Sequence, residues 1–101
     1  MAETFRSFGE FYPYYLSEHR DPTCRRLHFV GTGLVIALLV WATVSGEPAL
    51  LWLLPVIGYG FAWVGHFFFE KNRPATFKHP VYSLIGDFVM FRDILTGRIP
   101  F

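Results

Sequence analysis

Four histidines, His19, His28, His66 and His79, carry the only spacing in this 101-residue chain that suggests a reactive site. Neutral imidazole is a common metal ligand, and four ring nitrogens suit iron, zinc, copper or nickel. His28 and His66 lie equally far in sequence from Glu47. If the chain doubles back there, the two imidazoles stand at one height on neighbouring helices. His19 precedes His28 across an Asp21-Pro22 break and can fold back, while His79 follows His66 across a loop at Pro74. All four rings could converge on one point. Glu70, four residues after His66, shares its helical face and is a candidate ligand or a partner that orients the imidazole. Asp87 is a second acid that could face the site. Taken singly, each histidine is an ordinary solvated or core residue, and it is the matched spacing about Glu47 that favours a metal. The one cysteine, Cys24, can form neither an intrachain disulfide nor a thiolate cluster, and no nucleophile has a credible base and orienting group. No phosphate-loop or dinucleotide glycine motif is present.

The elements that must position these residues follow from hydropathy. Phe29–Phe69 carries one charge, Glu47, inside the turn signal Ser45-Gly46-Glu47-Pro48. The flanking arms, 29–44 and 49–69, span roughly 24 and 31 Å as helices, against a bilayer hydrocarbon core of about 30 Å. A soluble core helix of this length would show a polar face, which these arms lack. Asp21 as N-cap and Pro22 at the first helical position extend the first arm backwards. The expected hairpin is therefore 22–44 and 48–71, with a kink near Pro55. Gly33 and Ala37 on one arm and Gly58 and Ala62 on the other are small pairs expected to meet and let the helices approach.

Outside the hairpin, residues 4–19 place aromatics at helical spacing and predict an amphipathic helix in the headgroup region, kinked at Pro13. Residues 81–96 predict a third helix ending at Gly97. Its charges Asp87, Arg92 and Asp93 argue against a deep independent span, so it is expected at the boundary, packed on the hairpin. The fold expected is one all-α, integral membrane domain over residues 1–101. The composition agrees, at 52% hydrophobic and 20% aromatic residues with twelve phenylalanines. A net charge of +1 gives no case for nucleic acid. The first apolar run follows a charged, aromatic segment and does not read as a signal peptide.

Two motifs carry a resemblance. Tyr15-Leu16-Ser17-Glu18-His19 followed by Pro22-Thr23-Cys24-Arg25-Arg26-Leu27-His28-Phe29-Val30-Gly31 is the first, and Gly65-His66-Phe67-Phe68-Phe69-Glu70-Lys71-Asn72-Arg73-Pro74-Ala75 is the second. They resemble the small membrane family that includes the fungal 2-hydroxy fatty acid dioxygenase. The resemblance implies an iron(II)-dependent oxygenase that uses dioxygen to shorten a 2-hydroxy fatty acid, or a related lipid, by one carbon. It implies that His19, His28 and His66 serve the iron; His79 lies outside both motifs and is a fourth candidate. In such an enzyme Arg25, Arg26, Lys71 or Arg73 would attract the substrate carboxylate, and the acyl tail would lie along the hairpin. The alternative is a non-enzymatic membrane protein with a structural metal site or a partner-binding hairpin.

Arg20, Arg25 and Arg26 flank one end of the hairpin and Lys71, Arg73 and Lys78 the other, while the turn has no basic residue. By the positive-inside rule both termini are cytoplasmic. Reporter fusions at residue 1 and at residue 101 are expected to read cytoplasmic alike; opposite readings would mean an odd number of spans.

Overall fold

The computed structural model describes residues 5–74 and 77–101. Residue 4 of the expected N-terminal helix, and Ala75 and Thr76 of the loop after Pro74, lie outside the described residues. Four α-helices follow in order, α1 (Phe8–Ser17), α2 (Pro22–Ser45), α3 (Leu53–Val64) and α4 (Pro80–Leu95), with no strand among the described residues. A 3-10 segment, Pro48–Trp52, leads into α3, and a π-helical segment, Gly65–Glu70, continues from it.

Local chemistry sets these limits. Ser7 caps α1 by accepting from Glu10 N, so the helix begins at Phe8 and not at the expected residue 4. It runs through Pro13. Asp21 Oδ1 accepts from Thr23 N at 2.9 Å and Cys24 N at 3.1 Å, starting α2 at Pro22. Gly46, at φ 71°, ends it in the left-handed conformation that costs glycine little. Pro55 falls in the first turn of α3, just past the change from 3-10 to α pitch, so the irregularity expected near it lies on its N-terminal side. Gly97, at φ 85°, follows α4, and Arg98 N and Ile99 N close back onto Asp93 O.

Two stretches, Pro22–Ser45 and Pro48–Glu70, are long and apolar enough to cross a membrane. Their outer faces bear Val40, Trp41, Val44, Trp52 and Val56, all more than half exposed. Helix α2 is the centre of the molecule and packs against both α3 and α4. A Cβ on Gly31 would stand 2.7 Å from Phe61 Cβ, so α2 and α3 meet there only because residue 31 has no side chain. The two glycines of the small pairs take different neighbours. Gly33 faces Phe91 of α4, and Gly58 faces Val35, because α2 offers neighbouring faces to two different helices. Phe29 stacks on Phe91 with ring centroids 4.6 Å apart.

Helix α1 buries its aromatic stripe on α4. Phe11, Tyr15, Met90 and Ile94 form the core, with Phe8 and Tyr82 packed around it. Tyr12 donates to Asp93 at 2.7 Å, tying the two helices at their polar edge and holding Asp93 below the usual carboxylate range. The α1–α4 layer thus closes one end of the hairpin.

Gly31→Ala is expected to cost about 1–3 kcal/mol through overpacking against Phe61. Adding Phe61→Ala should recover part of that loss, whereas Gly60→Ala, which meets nothing within 4 Å, should not destabilise. Thermal unfolding of the detergent-purified variants checks all three.

Candidate metal centre

Three histidines from three elements meet where α1 closes the hairpin. His19 follows α1, where its N–H bonds Leu16 O; His28 lies in the second turn of α2; His66 opens the π segment. All three are buried, at 1%, 5% and 1% exposure. Nε2 of His19 lies 3.2 Å from Nε2 of His28 and 3.0 Å from that of His66, and the three candidate ligand atoms all fall within 4.8 Å of one another.

The other nitrogen of each ring decides what those atoms are. His19 Nδ1 donates to Tyr15 O at 2.6 Å, His28 Nδ1 to Cys24 O at 3.0 Å, and His66 Nδ1 to Asn72 Oδ1 at 2.7 Å. Asn72 is oriented by its amide, which donates to Glu18 O at 3.1 Å, so its oxygen faces the imidazole. An acceptor at every Nδ1 places the proton there and leaves Nε2 bare. Burial, reinforced by the neighbouring imidazoles, holds His19 well below its ordinary pKa, so it is neutral at neutral pH. Three lone pairs then face one another in a buried space, which is unfavourable unless a cation lies between them. Two imidazole nitrogens roughly 2.1 Å from one ion and at right angles about it stand about 3.0 Å apart, close to the two separations from His19. The donor set fits a divalent first-row metal.

The surroundings are built around this trio. Tyr15 stacks on His19 at 4.1 Å and donates through a short hydrogen bond to Asp87. Burial pushes the Asp87 carboxyl up to about 6, a rise partly offset by the Tyr15 hydroxyl. Burial and the Asp87 charge raise Tyr15 well above its ordinary value, so it remains the proton donor. A chamber of about 20 Å3, enough for about one water, adjoins the three histidines and is bordered by Tyr15, Tyr59, Ser83 and Asp87. Ser83 Oγ is buried there with no hydrogen-bond partner among the described residues. A second hollow, an apolar slot of about 410 Å3, shares His28, Tyr59, Ala62 and Asp87 with the chamber and runs between the helices to Leu51.

Other expected site residues lie elsewhere. His79 precedes the proline that starts α4 and packs among the rings of Phe5, Phe11 and Tyr14, away from the trio. Glu70 does not bond His66; its Oε1 accepts from Asp21 N at 2.8 Å and ties the π segment to the start of α2. Asp87 borders both hollows. None of Arg25, Arg26, Lys71 and Arg73 lines either hollow. Arg25 donates to the carbonyls of His19 and Arg20, and Arg26 to that of Phe101. Cys24 is buried against Gly65, and its sulfur lies 3.9 Å from His28 Nδ1, outside the nitrogen trio.

Asn72 and Ser83 were not singled out by sequence reasoning. Asn72 is six residues after His66, a separation that shares no face of an α-helix. The π segment and the left-handed Lys71, at φ 60°, turn it back so that Asn72 N also bonds His66 O at 3.0 Å. Such π turns cluster at functional sites.

Residues 5–99 match the family model described as 2-hydroxy-palmitic acid dioxygenase Mpo1-like. No curated protein and no solved structure matches the chain.

Metal per protein is the direct readout of this geometry. His28→Ala and His66→Ala are expected to abolish binding and His19→Ala to weaken it strongly, with helical content retained by circular dichroism. Asn72→Leu should lower affinity ~10–100-fold, the usual effect of losing the group that orients a ligand. Glu70→Gln should stay near wild type because its carbonyl still accepts from Asp21 N, and His79→Ala should keep its metal. Full occupancy in both His28→Ala and His66→Ala would remove the site.

Proposed function

Because the chain belongs to the Mpo1-like family, we propose that it is an iron(II)-dependent membrane dioxygenase that shortens 2-hydroxy fatty acids by one carbon. The observation that carries this reading is the set of three bare Nε2 atoms turned toward one another, each fixed by an acceptor at Nδ1. In this reading Pro22–Ser45 and Pro48–Glu70 cross the bilayer as a hairpin, both termini are cytoplasmic, and the histidine end lies at the cytoplasmic boundary.

Iron(II), when bound, supplies the one-electron chemistry that lets dioxygen react with a closed-shell acid. The chain's own residues do the rest. His19, His28 and His66 hold the metal, and Tyr15 O, Cys24 O and Asn72 fix their tautomers. Ser83 Oγ, buried without a partner beside the chamber, can donate to the substrate's carboxylate. Asp87, kept close by Tyr15, can accept from its 2-hydroxyl. Arg25, Arg26, Lys71 and Arg73, at the wet end of the hairpin, draw the anionic acid to the boundary without entering the site. Burial of the trio excludes bulk water. The balance consumes one dioxygen for each acid shortened, with the lost carbon leaving as carbon dioxide and one water formed.

Protein purified without oxygen is expected to contain iron and to take up oxygen with 2-hydroxypalmitic acid but not with palmitic acid, releasing the acid one carbon shorter. Iron-loaded protein that takes up no oxygen with any 2-hydroxy acid would refute the enzymatic role and leave a structural metal. Ser83→Ala should raise KM more than it lowers kcat, as expected for uniform binding of the head group.

A further inference from the structure

The chamber has room for about one water, so the tail of a fatty acid must go elsewhere. The apolar slot starts at His28 and Asp87, which it shares with the chamber, and continues past Ala62, Gly58 and Val35 to Leu54 and Leu51. From Ala62 along α3 and into the 3-10 segment before it, Leu51 lies about 17 Å away. Its walls are aliphatic apart from Thr32, Tyr59 and the two site residues. Helices α3 and α4 both pack on α2 but barely on each other, which leaves one side of the slot open between them. Leu84 and Tyr59, both largely exposed, stand at this side.

We propose that this slot binds the apolar tail of the 2-hydroxy acid and that Gly58, by lacking a side chain, sets the length of tail accepted. The inference rests on the function proposed above for the choice of head group, but the slot is a physical feature that can be tested apart from it. A Cβ on Gly58 would sit 3.6 Å from Val35 Cγ2, in ordinary contact, and both residues line the slot. A longer side chain there extends into the hollow and divides it about 6 Å from the Ala62 end, four residues away along the helix. Gly60 provides the matched control. It lies on the same helix, a Cβ there meets nothing within 4 Å, and it does not line the slot. Leucine at either position brings the same gain in helix propensity, but only one fills the hollow.

The test uses wild-type protein, Gly58→Leu, Gly60→Leu and Leu54→Ala in lipid nanodiscs. Saturated 2-hydroxy acids from hexanoic to octadecanoic are scored by oxygen uptake, and, without oxygen, by displacement of a fluorescent fatty acid. Gly58→Leu is expected to move the preferred length to shorter acids, losing roughly tenfold or more on the longest because the tail is forced into filled space, while the shortest are unaffected. Gly60→Leu should reproduce the wild-type profile, and Leu54→Ala should extend it to longer tails. An unchanged profile in Gly58→Leu, or an equal shift in Gly60→Leu, overturns the proposal. If Gly58→Leu does not fold, Gly58→Val and Leu54→Ala decide it, because opposite shifts are required of them. If wild type displaces the fluorescent acid but takes up no oxygen with any 2-hydroxy acid, the head-group chemistry falls. The tail site then stands or falls on whether Gly58→Leu alters displacement by plain fatty acids of increasing length.

Discussion

Three imidazole lone pairs forced toward one point are the constraint on which the rest of the structure turns. Each Nδ1 has an acceptor within hydrogen-bonding distance, so the rings cannot relieve the crowding by shifting their protons without breaking a buried hydrogen bond. Burial disfavours protonation as the alternative. The chain therefore holds an arrangement that is costly by itself and becomes favourable when a cation shares the three lone pairs. The backbone carbonyls of Tyr15 and Cys24 and the amide of Asn72 are as much a part of the centre as the imidazoles.

Holding that arrangement requires backbones to come closer than side chains normally allow. A Cβ on Gly65 would stand 3.0 Å from Cys24 Sγ and 3.2 Å from its Cα, so the π segment reaches α2 only because residue 65 is glycine. A Cβ on Gly86 would lie 2.9 Å from the Tyr15 ring, which brings α4 against the residue that stacks on His19. Gly31 against Phe61 brings α2 and α3 together in the same way. Glu70 adds a polar tie between the π segment and Asp21, whose side chain also starts α2. The turn carrying His19 and the turn carrying His66 are thereby registered to one point on α2.

Much of this was legible in the sequence, for local reasons. The turn at Glu47, the cap at Asp21-Pro22 and the stop at Gly97 are written in residue types with narrow backbone preferences. That His28 and His66 stand side by side follows from their equal distance from Glu47. What could not be read depends on contacts between distant parts. A helical wheel assumes α pitch and places Glu70 on the face of His66, but the π segment widens that pitch and hands the role to Asn72. The stripe on residues 4–19 fits a membrane surface as well as a protein one, and only the position of α4 shows which it covers. His79 has the right residue type and a permissive spacing, yet Pro80 anchors it to the start of α4, within the aromatic packing. The hollows have no signature in sequence, since they arise where α3 and α4 part.

The position of the three histidines along the chain has a consequence for how the protein is made. His19 and His28 leave the ribosome before the turn at Glu47 does, and His66 only after it. The ring contact between His19 and His66 closes a circuit of backbone whose ends are 47 positions apart in sequence. That circuit closes only after the second apolar stretch, Pro48–Glu70, has folded back along the first. A chain whose second stretch has not folded back presents two of the three imidazoles and no third, so the complete donor set forms only in the folded molecule.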